Sequence, residues 1–410
     1  VSDFKSEFKL GWGPLFAATI GTMCGLLTLT NYTQGFFVGP VMQEFGWTPA
    51  QFFLSYTVFM CAGLITAPIV GSLAQKHGIR ALGMIGLVGH ALGYVIISMN
   101  TGSLPLWYAS WAIMAVLAAG SLPIIWTSVL NGWFVKNRGK AIGITMAGTG
   151  IGAFLLPPIV EYLITNYGWR TAYRGIGLGA LAISLPIVWT LFKENEANKA
   201  TGAAAKRIWG YTRAEAMKMP KFWILGAVLG LTVLVMAGLL SNFKQLYTSL
   251  GMDGGNIAKL AALMGITIIF GRLLVGYLMD RFWAPAVAVG FYTMPIIGMI
   301  ILLNTPLTMG TGAMVAICIG LAAGAVLDLL AYLTSKYFGP DYYAKIFGAT
   351  FTFFTVGAGF APPLFGKLAQ NNGGDYAVAL KFGIGVLLVS CILFLLLGKY
   401  PQEAISEQGH

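Results

Sequence analysis

Gly71-Ser-Leu-Ala-Gln75-Lys76-His77-Gly78-Ile79-Arg80 is answered 205 residues later by Gly276-Tyr-Leu-Met-Asp280-Arg281. Both stretches close a long apolar run: a glycine that lets helices approach, one turn of apolar residues, then a short charged loop. The same shift lays Gly46 on Gly251, Lys140 on Lys345, Gly143 on Gly348, Gly152 on Gly357, and Pro157-Pro158 on Pro362-Pro363. One register held across so many positions means that the chain is two copies of a single unit. Each unit holds six apolar runs, an even number, so the copies cross a membrane in the same sense. They are parallel repeats about an axis along the membrane normal, an arrangement suited to alternating access around a site between them.

Composition points to lipid as the solvent. Of 410 residues, 57% are hydrophobic and 10% are charged, against about a quarter charged in soluble domains. A soluble chain would have to hide too much apolar surface. A span needs about 20 apolar residues. Twelve runs qualify: Pro14–Pro40, Gln51–Ala74, Ala81–Met99, Leu104–Phe134, Gly139–Ile164 and Thr171–Phe192, then Phe222–Leu246, Asn256–Met279, Ala284–Leu303, Met309–Thr334, Ala344–Leu368 and Ala377–Gly398. We number them spans 1 to 12. The fold class expected is an all-α membrane protein with twelve transmembrane helices in two pseudo-symmetric six-helix bundles. Residues 1–192 form the first bundle, 193–221 a cytoplasmic linker, and 222–410 the second bundle. Within the linker, Thr212 and Glu215 have capping-box spacing, which predicts a short helix. The polar opening Val1–Lys9 leads into a run too long for a cleavable signal peptide.

The net charge of +11 raises nucleic acid as a partner, but the basic residues lie in short connections and form no continuous face. With the N-terminus inside, 18 of the 25 Lys and Arg fall on the cytoplasmic side. Both termini are therefore expected in the cytoplasm of a multi-pass plasma (inner) membrane protein. Cys24, Cys61, Cys318 and Cys391 sit within apolar runs without metal or redox spacing and read as small apolar filler. No cofactor and no metal is called for.

The paired loops resemble the signature of the major facilitator superfamily, G-x-x-x-D-R/K-x-G-x-R/K, with Gln75 where the family has Asp. Within that superfamily, several pieces resemble the monocarboxylate transporter and oxalate/formate antiporter branch. They are Pro40-x-x-x-Glu44-Phe45-Gly46-Trp47, Arg138-Gly-Lys-Ala-Ile-Gly143, Gly271-Arg272, and Asp328-Leu-Leu-Ala-Tyr-Leu-x-x-Lys-Tyr-Phe-Gly339. The resemblance implies the major facilitator fold, transport of a small organic anion, often with a proton, and gating by Gln75, Lys76, Arg80, Arg138, Asp280 and Arg281. Mammalian monocarboxylate carriers also use a helix-1 lysine and an acid one turn before the helix-8 arginine. Here there is no such lysine beyond Lys9, and Ile268 occupies the other position, so lactate-type specificity does not carry over. Leu156-Pro157-Pro158-Ile159 stands in place of the drug-exporter motif, which favours uptake.

Arg272 is the one basic residue deep in a span, and its repeat mate is Ala67. A charge there costs about 2.5–3.5 kcal/mol on insertion scales, so something must hold it in place. Its planar fork of donors matches a carboxylate. Asp328 is the acid at the same depth, and its mate is Pro123. It is the candidate proton carrier, with a structural ion pair to Arg272 as the alternative. Softer candidates for substrate contact are Asn31, Tyr32, Gln34, Tyr56, Trp126, Asn131, Asn242, Lys244, Tyr332, Phe351 and Phe354; packing is the competing reading for each. His90 reads as a packing residue. The function expected is proton-coupled symport of a small organic anion, a monocarboxylate, by a monomer in the bilayer, with protons as the second cargo. Anion exchange is the alternative. A membrane-embedded enzyme would need clusters of acid–base or metal-ligating residues inside the spans, which one Arg and one Asp do not supply. A receptor would leave the repeat unexplained.

Overall fold

The computed structural model describes residues 4–134, 137–195, 210–339 and 342–401. Spans 2 and 3 are the helices Pro49–His77 and Ile79–Ser98. Spans 8 to 12 are Gly254–Met279, Ala284–Asn304, Met309–Phe338, Tyr343–Asn371 and Ala377–Leu396. Ten helical stretches among the described residues are long and apolar enough to cross a membrane. Two departures from uniform rods reconcile that number with twelve crossings.

Spans 5 and 6 are one helical run, Arg138–Leu191, turned at Gly168 with φ 78°. Only glycine adopts that conformation without steric cost, so a single residue does the work of the loop expected there. Span 4 is two shorter helices, Leu104–Leu117 and Pro123–Trp133, around a 3-10 turn at Ala119–Ser121. Pro123 has no N–H to donate and holds Leu122 extended at ψ 150°, so the helix must restart there.

Two further spans are broken without a proline at the break. Span 1 runs as Phe4–Met23 and Leu26–Phe45, and span 7 as Pro220–Ser241 and Phe243–Ser249. Backbone freed at depth has to find a partner inside the protein. At the first break, the Leu26 N–H donates to Ser121 Oγ at 3.3 Å and the Thr28 hydroxyl to the Thr22 carbonyl at 2.7 Å. At the second, Asn242 donates its side-chain amide to the carbonyls of Gly238 and Pro362 at 3.0 and 3.2 Å.

The two six-helix bundles meet along pairs of spans that obey the 205-residue shift. Span 5 packs on span 8, and span 11 on span 2. Gly265 lies against the Ala153–Phe154 backbone, and Gly359 against the Met60 side chain. Under the shift, residue 60 is the mate of 265 and 154 the mate of 359. The paired prolines act here. Pro363 cannot donate to the carbonyl four residues earlier, so Gly359 O is free to accept the Thr57 hydroxyl of the other bundle at 2.6 Å. A sequence element that breaks one hydrogen bond within a helix thereby makes one between the halves.

The linker helix is Arg213–Lys218 with the expected capping box: the Thr212 N–H donates to Glu215 Oε2 at 2.8 Å and the Glu215 N–H to Thr212 Oγ at 3.3 Å. That backbone donor holds the Glu215 carboxyl below its ordinary value. All four cysteines are free thiols.

Candidate functional site

The membrane face on which the linker helix lies is called the linker face below, and the opposite one the far face. Arg272 on span 8 and Asp328 on span 10 are brought together, with Nε 3.5 Å from Oδ2. Glycine makes this possible. Gly271 sits against the Leu321 backbone, and Gly324, one turn before Asp328, sits against the backbone of Ile268 and Arg272. With Gly320 against Thr267, the sequence Gly320-Leu-Ala-Ala-Gly324 is a small-xxx-small stripe that lets two backbones touch. A Gly324→Val variant is expected to force spans 8 and 10 apart. Overpacking of this kind costs about 1–3 kcal/mol, seen as a lower melting temperature in detergent together with lost transport. Normal transport by Gly324→Val would show that the close approach is dispensable.

The ion pair is close but is not hydrogen bonded. Arg272 Nε and Nη1 and Asp328 Oδ2 are enclosed and have no hydrogen-bond partner among the described residues. A guanidinium normally spends its five donors, and an enclosed one left idle is costly. The Asp328 side chain nevertheless keeps 29% of its surface, against 11% for Arg272. Tyr32 of the first bundle lies within electrostatic range of the guanidinium. Beside it, the fully buried Tyr56 donates its hydroxyl to Asn31 Oδ1 at 2.5 Å, which leaves the Asn31 amide N–H groups free of that bond. On span 11, Phe351 and Phe354 stack with ring centroids 4.8 Å apart. Arg272 and Asp328 thus supply a cation and an acid from the second bundle, with the Tyr32 hydroxyl approaching from the first.

Other candidates are placed elsewhere. Trp126 lies in the interior of the first bundle, in a slot that Gly21 and Gly83 leave open, and its indole N–H donates to the Ser121 carbonyl at 3.0 Å. It packs spans 1, 3 and 4 and does not face the space between bundles. Asn242 is 1% exposed, and its amide is used by Gly238, Pro362 and the Tyr376 hydroxyl at 3.0 Å. It pins the break in span 7 and has no group left for a ligand. Tyr332, one turn beyond Asp328, donates its hydroxyl to the Met279 carbonyl at 2.9 Å and so ties span 10 to span 8. Gln34 is buried. His90 packs on Tyr94 with centroids 4.8 Å apart, at the level of the break in span 1.

Among the gating candidates, the side chains of Gln75, Lys76 and Arg138 lie outside the described residues, as does that of Asn131. Arg80 donates to the Trp189 carbonyl, and the neighbouring Ile79 N–H donates to Glu194 at 2.8 Å, which joins span 3 to the end of span 6. Asp280 and Arg281 are exposed, with Arg281 lying 3.7 Å over the Tyr277 ring of its own span. Among the described residues, contacts that join the bundles are found from the far face to mid-span. They include Glu161 with Lys244, the Gln245 amide on the Gly35 carbonyl, Thr57 on Gly359, and Gly150 against Ile269. At Gly143 and Gly348, shift mates near the linker face, an added methyl group would meet nothing within 4 Å. The sequence reading missed the far-side contacts, although Pro363, four residues after Gly359, carried a signal for one of them.

Comparison with known proteins agrees with this architecture. A solved bacterial homolog of the human lysosomal transporter Spinster, captured inward-facing and unoccupied, superposes with a TM-score of 0.68 at 16% identity, over 97% of this chain and 98% of its own. The Escherichia coli (strain K12) MFS-type transporter YhjX is 26% identical over 83% of this chain and 84% of its own length. Human monocarboxylate transporter 12 is 25% identical over 93% of this chain and 80% of its own. The sequence model of the Major Facilitator Superfamily matches residues 19–362. The chain is a membrane transporter belonging to the major facilitator superfamily.

Proposed function

We propose that the protein is a proton-coupled symporter of a small organic anion, a monocarboxylate, with Arg272 as the anchor for the carboxylate and Asp328 as the proton carrier. The observation that carries this reading is the enclosed, under-bonded Arg272 guanidinium beside a partly exposed acid at mid-span. A carboxylate fits this guanidinium in a bidentate fork, taking Nη2 together with one of the two idle donors. Once it occupies Arg272, the guanidinium stabilises the Asp328 carboxylate less, and a proton can load there with the anion. Anion and proton load together, and the neutralised site can cross. The similarity to monocarboxylate transporter 12 supports the substrate class. Tyr32 and Asn31 would read the rest of the substrate from the opposite bundle, so that binding draws the halves together.

The linker face is the cytoplasmic one in this reading, and both termini lie inside. A cysteine introduced at Met219 beside the linker helix is expected to react with impermeant maleimide from the cytoplasmic side alone; labelling from outside intact cells would overturn the orientation. The function is tested by a thermal-shift screen of carboxylates followed by counterflow in proteoliposomes. Counterflow of a labelled monocarboxylate, with accumulation driven by an inward proton gradient, is the expected result. Counterflow without gradient-driven accumulation would establish the anion exchanger instead, with Asp328 serving to neutralise Arg272 in the empty carrier.

A further inference from the structure

The far end of span 7 is where the two bundles hold each other by charge. Beyond the break at Asn242, the segment Phe243–Ser249 carries Lys244 and Gln245. The Lys244 ammonium pairs with the Glu161 carboxylate of span 5, and each side chain keeps only 15% and 16% of its surface. Lys244 Nζ also lies 5.2 Å over the Phe36 ring of span 1, and the adjacent Gln245 amide donates to the Gly35 carbonyl. The other far-side cations are differently placed. Arg170 pairs with Glu44 at 2.7 Å and lies 4.2 Å over Trp169, and Arg174 donates to Ser98 Oγ at 2.8 Å, all within the first bundle. Lys259, Lys367 and Lys381 are exposed. Lys244 alone among these has its described acidic partner on the opposite bundle.

Alternating access imposes a consequence. Glu161, Phe36 and Gly35 move with the first bundle, Lys244 and Gln245 with the second, so opening the far face parts them. A half-buried ammonium loses its carboxylate at the mouth of the path to Arg272. An incoming organic anion brings a carboxylate of the same chemistry. We infer that Lys244 is a second anion site, a far-side docking point where a substrate carboxylate replaces that of Glu161 before it passes to Arg272. The inference rests on the anion reading of the previous subsection. Replacing one carboxylate by another on the same ammonium removes the electrostatic penalty of opening, so the anion itself favours the open gate. A neutral isostere has no such effect. Glu161 is a competitor for Lys244 as well as a closing contact, and the two residues should therefore differ when each is neutralised.

Ser241 is 4% exposed, and its carbonyl lies against Gly35, so it is covered while the far face is closed. In a chain with Cys24, Cys61, Cys318 and Cys391 replaced by alanine, Ser241→Cys reports opening through its rate of reaction with impermeant maleimide in proteoliposomes. Benzoate, lactate and oxalate are the anionic probes and benzamide the neutral control. At least one anion is expected to accelerate labelling saturably, and benzamide is not. Glu161→Gln should raise the rate without anion and lower the half-effective anion concentration about tenfold, the scale of one charge-assisted contact. Lys244→Gln should raise the rate without anion and abolish the anion response. The response should persist in Arg272→Ala/Asp328→Ala, so a failed anchor at Arg272 would not be mistaken for a failed docking site. An anion response that survives Lys244→Gln, equal responses in the two gate variants, or no response to any of the three anions in the otherwise unaltered carrier would each overturn the docking site.

Discussion

Lysine in place of Arg272 is expected to weaken carboxylate binding by about one to two orders of magnitude, and alanine to remove measurable transport. The charge survives in Arg272→Lys, so any loss measures geometry. A guanidinium offers two parallel N–H donors in a fixed plane, whereas an ammonium offers a point charge on a mobile stem. Hydrogen bonds to charged groups contribute roughly 1.5–3 kcal/mol, which converts to the stated loss in affinity. The site favours a large effect because Nε and Nη1 are enclosed and have no hydrogen bond among the described residues to fall back on. Titration by thermal shift, or the KM of counterflow, reads the result. Affinity unchanged in Arg272→Lys would exclude a bidentate contact.

Asp328→Asn is expected to abolish accumulation driven by a proton gradient while retaining exchange of labelled for unlabelled substrate. Asparagine keeps the size and a carbonyl acceptor but cannot gain or lose a proton between pH 4 and 9. Its neutral amide beside Arg272, like a protonated Asp328, lets the loaded carrier reorient; the unloaded carrier then returns with an uncompensated guanidinium, which is costly at that depth. Net flux should fall by more than tenfold as exchange falls much less, a split seen by comparing gradient-driven uptake with counterflow in one preparation. If Asp328→Asn still concentrates substrate under a proton gradient, the proton travels elsewhere, on the substrate or on another group.

The architecture was legible because it is written in long-range pattern. Apolar length, the basic loops and one shift register suffice for twelve crossings and two bundles, and none of these depends on side-chain detail. The pairing of Arg272 with Asp328 was legible for a related reason: helical rise from the flanking charges Asp280 and Lys336 places both at one depth. Side-chain direction was not legible. Trp126 and Tyr32 are both aromatic residues on expected cavity spans, yet glycines at 21 and 83 open a slot that turns Trp126 inward. Asn242 looked like a ligand contact because a polar residue within an apolar span must serve some purpose. Its purpose is to repair a helix break that apolar length alone does not reveal. The far-side closure of the two bundles rests on contacts between residues about 80 to 300 positions apart, such as Glu161 with Lys244 and Thr57 with Gly359. No local pattern encodes such pairs, although the freed carbonyl behind Pro363 marks one end of the second.

In the proposed mechanism Arg272 touches the substrate and is not merely half of a structural ion pair. Removing arginine alone cannot decide this, because Arg272→Ala leaves a carboxylate inside the span without its partner, and breaking a buried pair costs about 3–5 kcal/mol. Removing both charges separates stability from function. Uptake of labelled monocarboxylate by Arg272→Ala/Asp328→Ala, reconstituted after its melting temperature has been shown to recover that of the unaltered protein, is the measurement to make. The anchor account predicts a folded carrier with no uptake; recovered uptake in that double variant would contradict it and leave Arg272 and Asp328 as a salt bridge.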